Sequence, residues 1–155
     1  MAGENFIRDL TDRFYVVRTA WLFGKNAKTF ITKFLTRPEK PPFIDVICDQ
    51  IGSFTYIPDL AEAIFTLVKS ENYGVFHIVN AGAGSWLEFA LKAKDLLMFK
   101  TDLRPVKTEE LNLPAPRPAF GTLLSKNYEF FFEKSMRRWE MALADFVKEI
   151  QSHRG

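Results

Sequence analysis

The sequence predicts an α/β fold with an α-rich C-terminal portion, and three observations carry that reading. Short β-branched and aromatic runs alternate with helical apolar stripes along the first hundred residues. Ser85-Trp86-Leu87-Glu88 has the form of a capping box opening a helix. Finally, Trp139, Ala142, Leu143, Phe146, Val147 and Ile150 recur at helical spacing near the C-terminus.

Taken in order, residues 3–12 read as the end of a helix, with Phe6 and Leu10 on one side at i, i+4. Phe14-Tyr15-Val16-Val17-Arg18-Thr19 is a strand by its β-branched and aromatic content. A turn at Gly24-Lys25-Asn26 precedes a stripe of Phe30, Ile31, Phe34 and Leu35, which ends at Arg37-Pro38. Pro38, Pro41 and Pro42 mark a loop before a strand over 43–48. Pro58 suits the first turn of a helix, and Asp59 and Glu62 suit its positive end. Leu60, Ala61, Ile64, Leu67 and Val68 are its expected buried face. Gly74 leads into a strand at 75–79, and Phe89, Ala93, Leu96 and Leu97 run down the helix that Ser85 opens. The Pro-rich stretch 104–118 reads as irregular.

Composition narrows the function. The 155 residues are 47% hydrophobic and 26% charged, a globular balance in one domain that buries about two-thirds of its unfolded surface. Sixteen Phe require a large core or a partner surface. A formal charge of +2 with scattered basic residues argues against nucleic acid. No apolar run approaches the ~20 residues of a membrane span, and no signal peptide opens the chain, so a soluble, cytoplasmic protein without a membrane partner is expected. The single cysteine, Cys48, forms no internal disulfide and is expected to be a small buried hydrophobe.

Several chemistries are excluded by inspection. The tyrosines are Tyr15, Tyr56, Tyr73 and Tyr128, and the residues four positions on are Thr19, Leu60, His77 and Phe132. No Tyr-x-x-x-Lys pair is therefore present to exchange a proton near neutral pH. Asn80-Ala81-Gly82-Ala83-Gly84-Ser85 has Leu87 where a dinucleotide fingerprint needs its third glycine, and reads as a tight turn before a helix cap. His77 and His153 lack partners at metal-ligand spacing, so no metal is expected, and His77 is expected to be a hydrogen-bonded packing residue. Glu109-Glu110 reads as a solvated acidic pair.

Several motifs occur in a telling order: Arg18-Thr19-Ala20-Trp21, Asp49-Gln50-Ile51-Gly52-Ser53-Phe54-Thr55-Tyr56, Ser85-Trp86-Leu87-Glu88-Phe89-Ala90, Arg117-Pro118-Ala119 and Trp139-Glu140-Met141-Ala142-Leu143. In this order they resemble the C-terminal part of the dTDP-4-dehydrorhamnose reductase family, within the extended short-chain dehydrogenases/reductases. The sequence departs from the family's usual pattern at Thr29, Phe54, Leu87 and Phe120-Gly121.

The resemblance implies the C-terminal part of an extended short-chain dehydrogenase fold: the last Rossmann strands plus a small α-rich substrate-binding domain. Residues 1–155 would be one substrate-binding domain that starts just after the family's catalytic Tyr and Lys. No catalytic residue is expected in the chain. Substrate contacts are expected at Thr19, near the reaction centre; at Trp21, against the deoxysugar ring; at Gln50 and Thr55, on the nucleotide; and at Arg117, on the diphosphate. The implied ligand is a dTDP-sugar. NADPH is implied for the intact family enzyme and no cofactor for this chain alone. The strands at 14–19 and 75–79 would border a missing part of the sheet, so a homodimer or a complex with a separate N-terminal half is expected; the alternative is a compact monomer in which these two strands pair with each other. Two other functions fit the same motifs: a protein-interaction module similar to the regulatory subunit of methionine adenosyltransferase, and a reductase portion for a different 4-keto sugar.

Overall fold

In the computed structural model, residues 2–25, 41–98, 100–111 and 113–152 are described. The stripe around Phe30 lies outside them. Helix α1 spans Ala2–Leu10, followed by β1 (Tyr15–Arg18) and β2 (Leu22–Phe23). Next come β3 (Phe43–Ile47), β4 (Ile51–Gly52) and β5 (Thr55–Tyr56), then α2 (Ile57–Val68) and β6 (Gly74–His77). Strand β7 (Gly84–Ser85) opens α3 (Trp86–Leu97), and β8 covers Asp102–Val106. A 3-10 turn at Thr108–Leu111 precedes β9 (Phe120–Gly121), α4 (Lys126–Phe132) and α5 (Trp139–Ser152).

The strands form small sheets. β1 pairs with β6, β2 with β5 and β3 with β8, all parallel. β4 lies between antiparallel β7 and parallel β9. The strands expected at 14–19 and 75–79 thus pair with each other, Tyr15 opposite Gly74 and Arg18 opposite His77. Tyr15 and Val17 face a core of Ala63, Leu67, Phe76, Ile78, Tyr128 and Met136. On α1, the Glu4 carboxylate accepts two bonds from the Arg18 guanidinium, at 2.9 and 2.5 Å. Phe6 and Leu10 of the same helix stay 64% and 67% exposed.

A second, larger core gathers Phe23, Val46, Phe54, Tyr56, Phe89, Trp139, Leu143 and Phe146 between α3 and α5. All six apolar residues expected to face inward from the last helix are buried. The capping box forms as read: Ser85 Oγ accepts from Glu88 N at 3.1 Å, and Ser85 N donates to Glu88 Oε2 at 2.6 Å. Arg137 ties α2 to α5 by donating to both Asp59 oxygens, at 2.8 and 2.9 Å, and to Asp145.

Three expectations need correction. The stretch 104–118 is partly ordered: residues 102–106 form β8 on β3, and a 3-10 turn follows. Pro105 fits because β8 pairs on one side only, so its missing N–H costs no ladder bond. On α2 the buried residues are Ala63 and Leu67, while Ala61 and Val68 are exposed. The helix is rotated so that Ala63 meets the β6 core. Cys48 is only half-buried, because it lies one residue past β3 where the strand pair leaves the core, its N–H donating to Val106 O at 3.0 Å. As expected, His77 is half-buried and hydrogen-bonded, accepting from Arg18 at 3.4 Å. No helix among the described residues is long and apolar enough to cross a membrane.

Candidate functional site

Beside the larger core lies a cavity of about 460 Å³. Its lining combines the indoles of Trp21 and Trp86, Asp45, Ile47 and Gln50 from β3 and the residues after it, and Leu111, Leu113 and Arg117. Three of the five expected substrate contacts, Trp21, Gln50 and Arg117, therefore meet around one space. They come from segments far apart in sequence, brought together by β4, whose strand partners carry the start of α3 on one side and the residues after Arg117 on the other.

The indole wall is tightly built. Trp21 stacks on Trp86 with ring centroids 4.2 Å apart and planes 26° from parallel. Beneath them Phe54, fully buried, touches Trp21 at 4.9 Å, Trp86 at 5.5 Å and Phe89 at 4.5 Å. Aromatic contacts of this kind contribute about 0.5–1.5 kcal/mol each beyond buried area. Two backbone features permit the stack. Trp21 has φ of +35°, a left-handed conformation that costs a bulky residue about 1–2 kcal/mol. The indole also lies directly on Gly52, where a Cβ would fall 2.6 Å from Trp21 Cζ2. A side chain at 52 would displace the ring.

Gln50 is 5% exposed and its amide is held on both sides, accepting from Trp86 Nε1 at 3.3 Å and donating to Thr108 Oγ1 at 3.0 Å. Asp49 accepts from the Thr108 backbone N–H at 3.0 and 3.1 Å and from its hydroxyl at 2.7 Å. The Thr108 hydroxyl holds the Asp49 carboxyl below the usual aspartate range. Arg117 is exposed and makes no ion pair among the described residues. Asp45, on the same cavity, is occupied by a two-bond pair with Arg104 at 2.7 and 3.0 Å.

Thr19 and Thr55 lie apart from this space. Thr19 Oγ1 donates to Thr55 Oγ1 at 3.1 Å, and Thr55 is fully buried. The sequence reading missed Trp86, Thr108 and Leu111. Trp86 carries a family motif but reads equally as a helix-start anchor, and Thr108 gains meaning only through its spatial neighbour Asp49.

The Gly82–Gly84 turn does not suit a dinucleotide. Gly82 adopts φ of +92°, but the turn rests on aromatic rings. A Cβ on Gly84 would lie 3.3 Å from both Phe54 and Trp139. The Glu88 carboxylate caps the following helix and would repel a pyrophosphate there. Among the described residues, no group of His, Cys, Asp and Glu is arranged to hold a metal ion.

Residues 1–152 match the family described as RmlD substrate binding domain. The chain belongs to that family. Among its relatives is the spore coat polysaccharide biosynthesis protein SpsK of Bacillus subtilis, 36% identical over 97% of this chain and 52% of that protein. The dTDP-4-dehydrorhamnose reductase of Bacillus anthracis, solved in complex with NADP, superposes with a TM-score of 0.88 at 35% identity, over 96% of this chain and 52% of that one. The dTDP-4-dehydrorhamnose reductase of Clostridium acetobutylicum gives 0.88 at 31% identity, over 96% and 53%. The chain spans about half the length of the curated relatives it matches. The α/β architecture is that of part of the reductase fold, as the motifs implied. The comparisons lend no support to a methionine adenosyltransferase module.

Proposed function

We propose that this chain is the substrate-holding portion of a dTDP-4-dehydrorhamnose reductase-like protein, and that residues 1–155 act as one such domain. The observation that carries this reading is the cavity itself, lined both by a stacked indole pair and by an arginine that makes no ion pair among the described residues. The Trp21–Trp86 wall covers the apolar face of the sugar ring. Arg117 takes the diphosphate through charge-assisted bonds. Gln50 hydrogen-bonds a ligand oxygen. Thr19 and Thr55 support the wall from behind through their shared hydroxyl bond.

The chemistry follows from what the chain lacks. Reduction of a 4-keto sugar needs a hydride at C4 and a proton on the resulting oxygen. NADPH supplies the hydride in the intact enzyme. With no Tyr-x-x-x-Lys pair in this sequence, the proton comes from outside it, and the chain's own residues bind and orient. A partner supplying both groups docks on the open side of β1–β6, beside the exposed Phe6 and Leu10, either as a separate dinucleotide-binding half or within a dimer. The product in this reading is dTDP-L-rhamnose, used for cell-surface polysaccharide.

Calorimetric titration of the folded chain with dTDP-L-rhamnose tests the reading. Saturable binding, weakened about ten- to hundredfold by Arg117→Ala, is the expected result. A folded sample with no saturable binding counts against it.

A further inference from the structure

Four side chains beside the cavity form one directed hydrogen-bond chain. Trp86 Nε1 donates to Gln50 Oε1, Gln50 Nε2 donates to Thr108 Oγ1, and Thr108 Oγ1 donates to Asp49 Oδ1. Each direction is forced by chemistry. An indole N–H can only donate, and an ionised carboxylate can only accept. The Gln50 oxygen must therefore face the indole, and its nitrogen must face the hydroxyl. Once those bonds are made, the buried amide keeps one N–H and one lone pair, on a side chain that lines the cavity.

The chain also joins two walls. Thr108 opens the 3-10 turn that leads to the lining residues Leu111, Leu113 and Arg117, while Trp86 belongs to the stacked indole pair. Asp49 grips Thr108 through both its backbone N–H, shared between the two carboxylate oxygens, and its hydroxyl, so the anchor is fixed at two groups.

We propose that Asp49 and Thr108 are positioning residues for ligand recognition: acting through Gln50, they hold its amide in one orientation, so that the cavity offers an N–H donor to a ligand oxygen while Trp86 stays seated on Trp21. The inference rests on the nucleotide-sugar reading of the cavity. It requires a ligand with an acceptor oxygen (hydroxyl, carbonyl or phosphate) at the Gln50 side of the space. Valine at 108 keeps the shape but removes both the acceptor for Gln50 and the donor to Asp49. The amide is then free to turn, and Trp86 loses its fixed acceptor.

The test uses the full chain labelled with 15N, with the Trp86 indole N–H resonance assigned through Trp86→Phe. Thr108→Val is expected to move that resonance and to weaken dTDP-L-rhamnose binding about five- to tenfold, the effect of one neutral hydrogen bond. Thr108→Ser should restore both. A Thr108→Val protein that binds like the wild type overturns the inference, as does lost affinity with an unmoved Trp86 resonance or a moved resonance that Thr108→Ser leaves displaced. Lower thermal stability alone, with resonance and affinity unchanged, marks a purely structural role and also overturns it. A wild-type chain that binds neither dTDP nor dTDP-L-rhamnose removes the nucleotide-sugar reading and this inference together. Binding that is unaffected by Thr108→Val removes the inference alone.

Discussion

Around Phe54, helices α3 and α5 close over the β2–β5 pair, and twelve of the thirteen residues in that core are at most 5% exposed. Around Phe76 the β1–β6 pair is finished differently. None of the four β1 residues is fully buried, and α1 reaches the sheet through the Arg18–Glu4 pair while contributing no buried residue. The closed core is the one that supports the candidate cavity, because Phe54 touches both wall indoles. The contrast separates two tasks. One region holds side chains in a set geometry, and the other leaves large apolar side chains, Phe6 and Leu10, facing solvent.

The largest expected effect breaks the closed side. Phe54→Ala should cost about 3–5 kcal/mol in chemical denaturation, since it empties the centre of an aromatic cluster. It should also abolish the near-ultraviolet circular dichroism of the stacked indoles. Next is Gly52→Ala, whose Cβ would meet Trp21 at 2.6 Å. Displacing the ring should cost about 1–3 kcal/mol, the range for overpacking, and weaken ligand binding more than a remote change of equal cost. A core control such as Leu143→Ala sharpens this, because it should lower stability while leaving affinity nearly intact at temperatures where the protein is folded.

A smaller effect concerns pH. Asp49 has its folded pKa depressed by the Thr108 hydroxyl, so its contribution is present above the unfolded value of about 3.9 and is lost as pH falls through the folded value. Ligand affinity should therefore be level from about pH 5 to 8 and decline only below about pH 4. In Asp49→Asn that acid decline should be absent, with affinity lower throughout. The smallest effect tests the open side. Phe6→Gln and Leu10→Gln should change stability by no more than about 0.5 kcal/mol, because both side chains already face solvent. If they instead unfold the chain, the face is not open. Loss of self-association or of binding to an N-terminal half would identify what covers it.

Local signals were legible where one segment suffices to make them. The capping box at Ser85 and Glu88 needs only four residues, and it formed as written. The last helix likewise announced its buried stripe, since six apolar residues at helical spacing can share only one face. By contrast, β8 was hidden behind Pro105, which reads as a breaker until the strand is seen to pair on one side only. Rotation of α2 toward Ala63 was equally hidden, because Ala61 and Val68, which stay exposed, continue the apolar stripe of Leu60 and Leu67 just as well.

The candidate site divides along the same line. By itself the sequence determined that Tyr-x-x-x-Lys chemistry is absent, that an α/β chain of this family is present, and that Trp21, Gln50 and Arg117 deserve testing, because residue identity and motif order are properties of the chain. Only the tertiary structure decided that these three share one cavity while Thr19 and Thr55 bond to each other outside its lining, and that Thr108 accepts from Gln50. The physical reason is that hydrogen bonds and ring contacts act over a few ångströms, between residues far apart in the chain, such as Trp21 and Trp86, which are 65 positions apart. No local pattern encodes which of many polar side chains will meet.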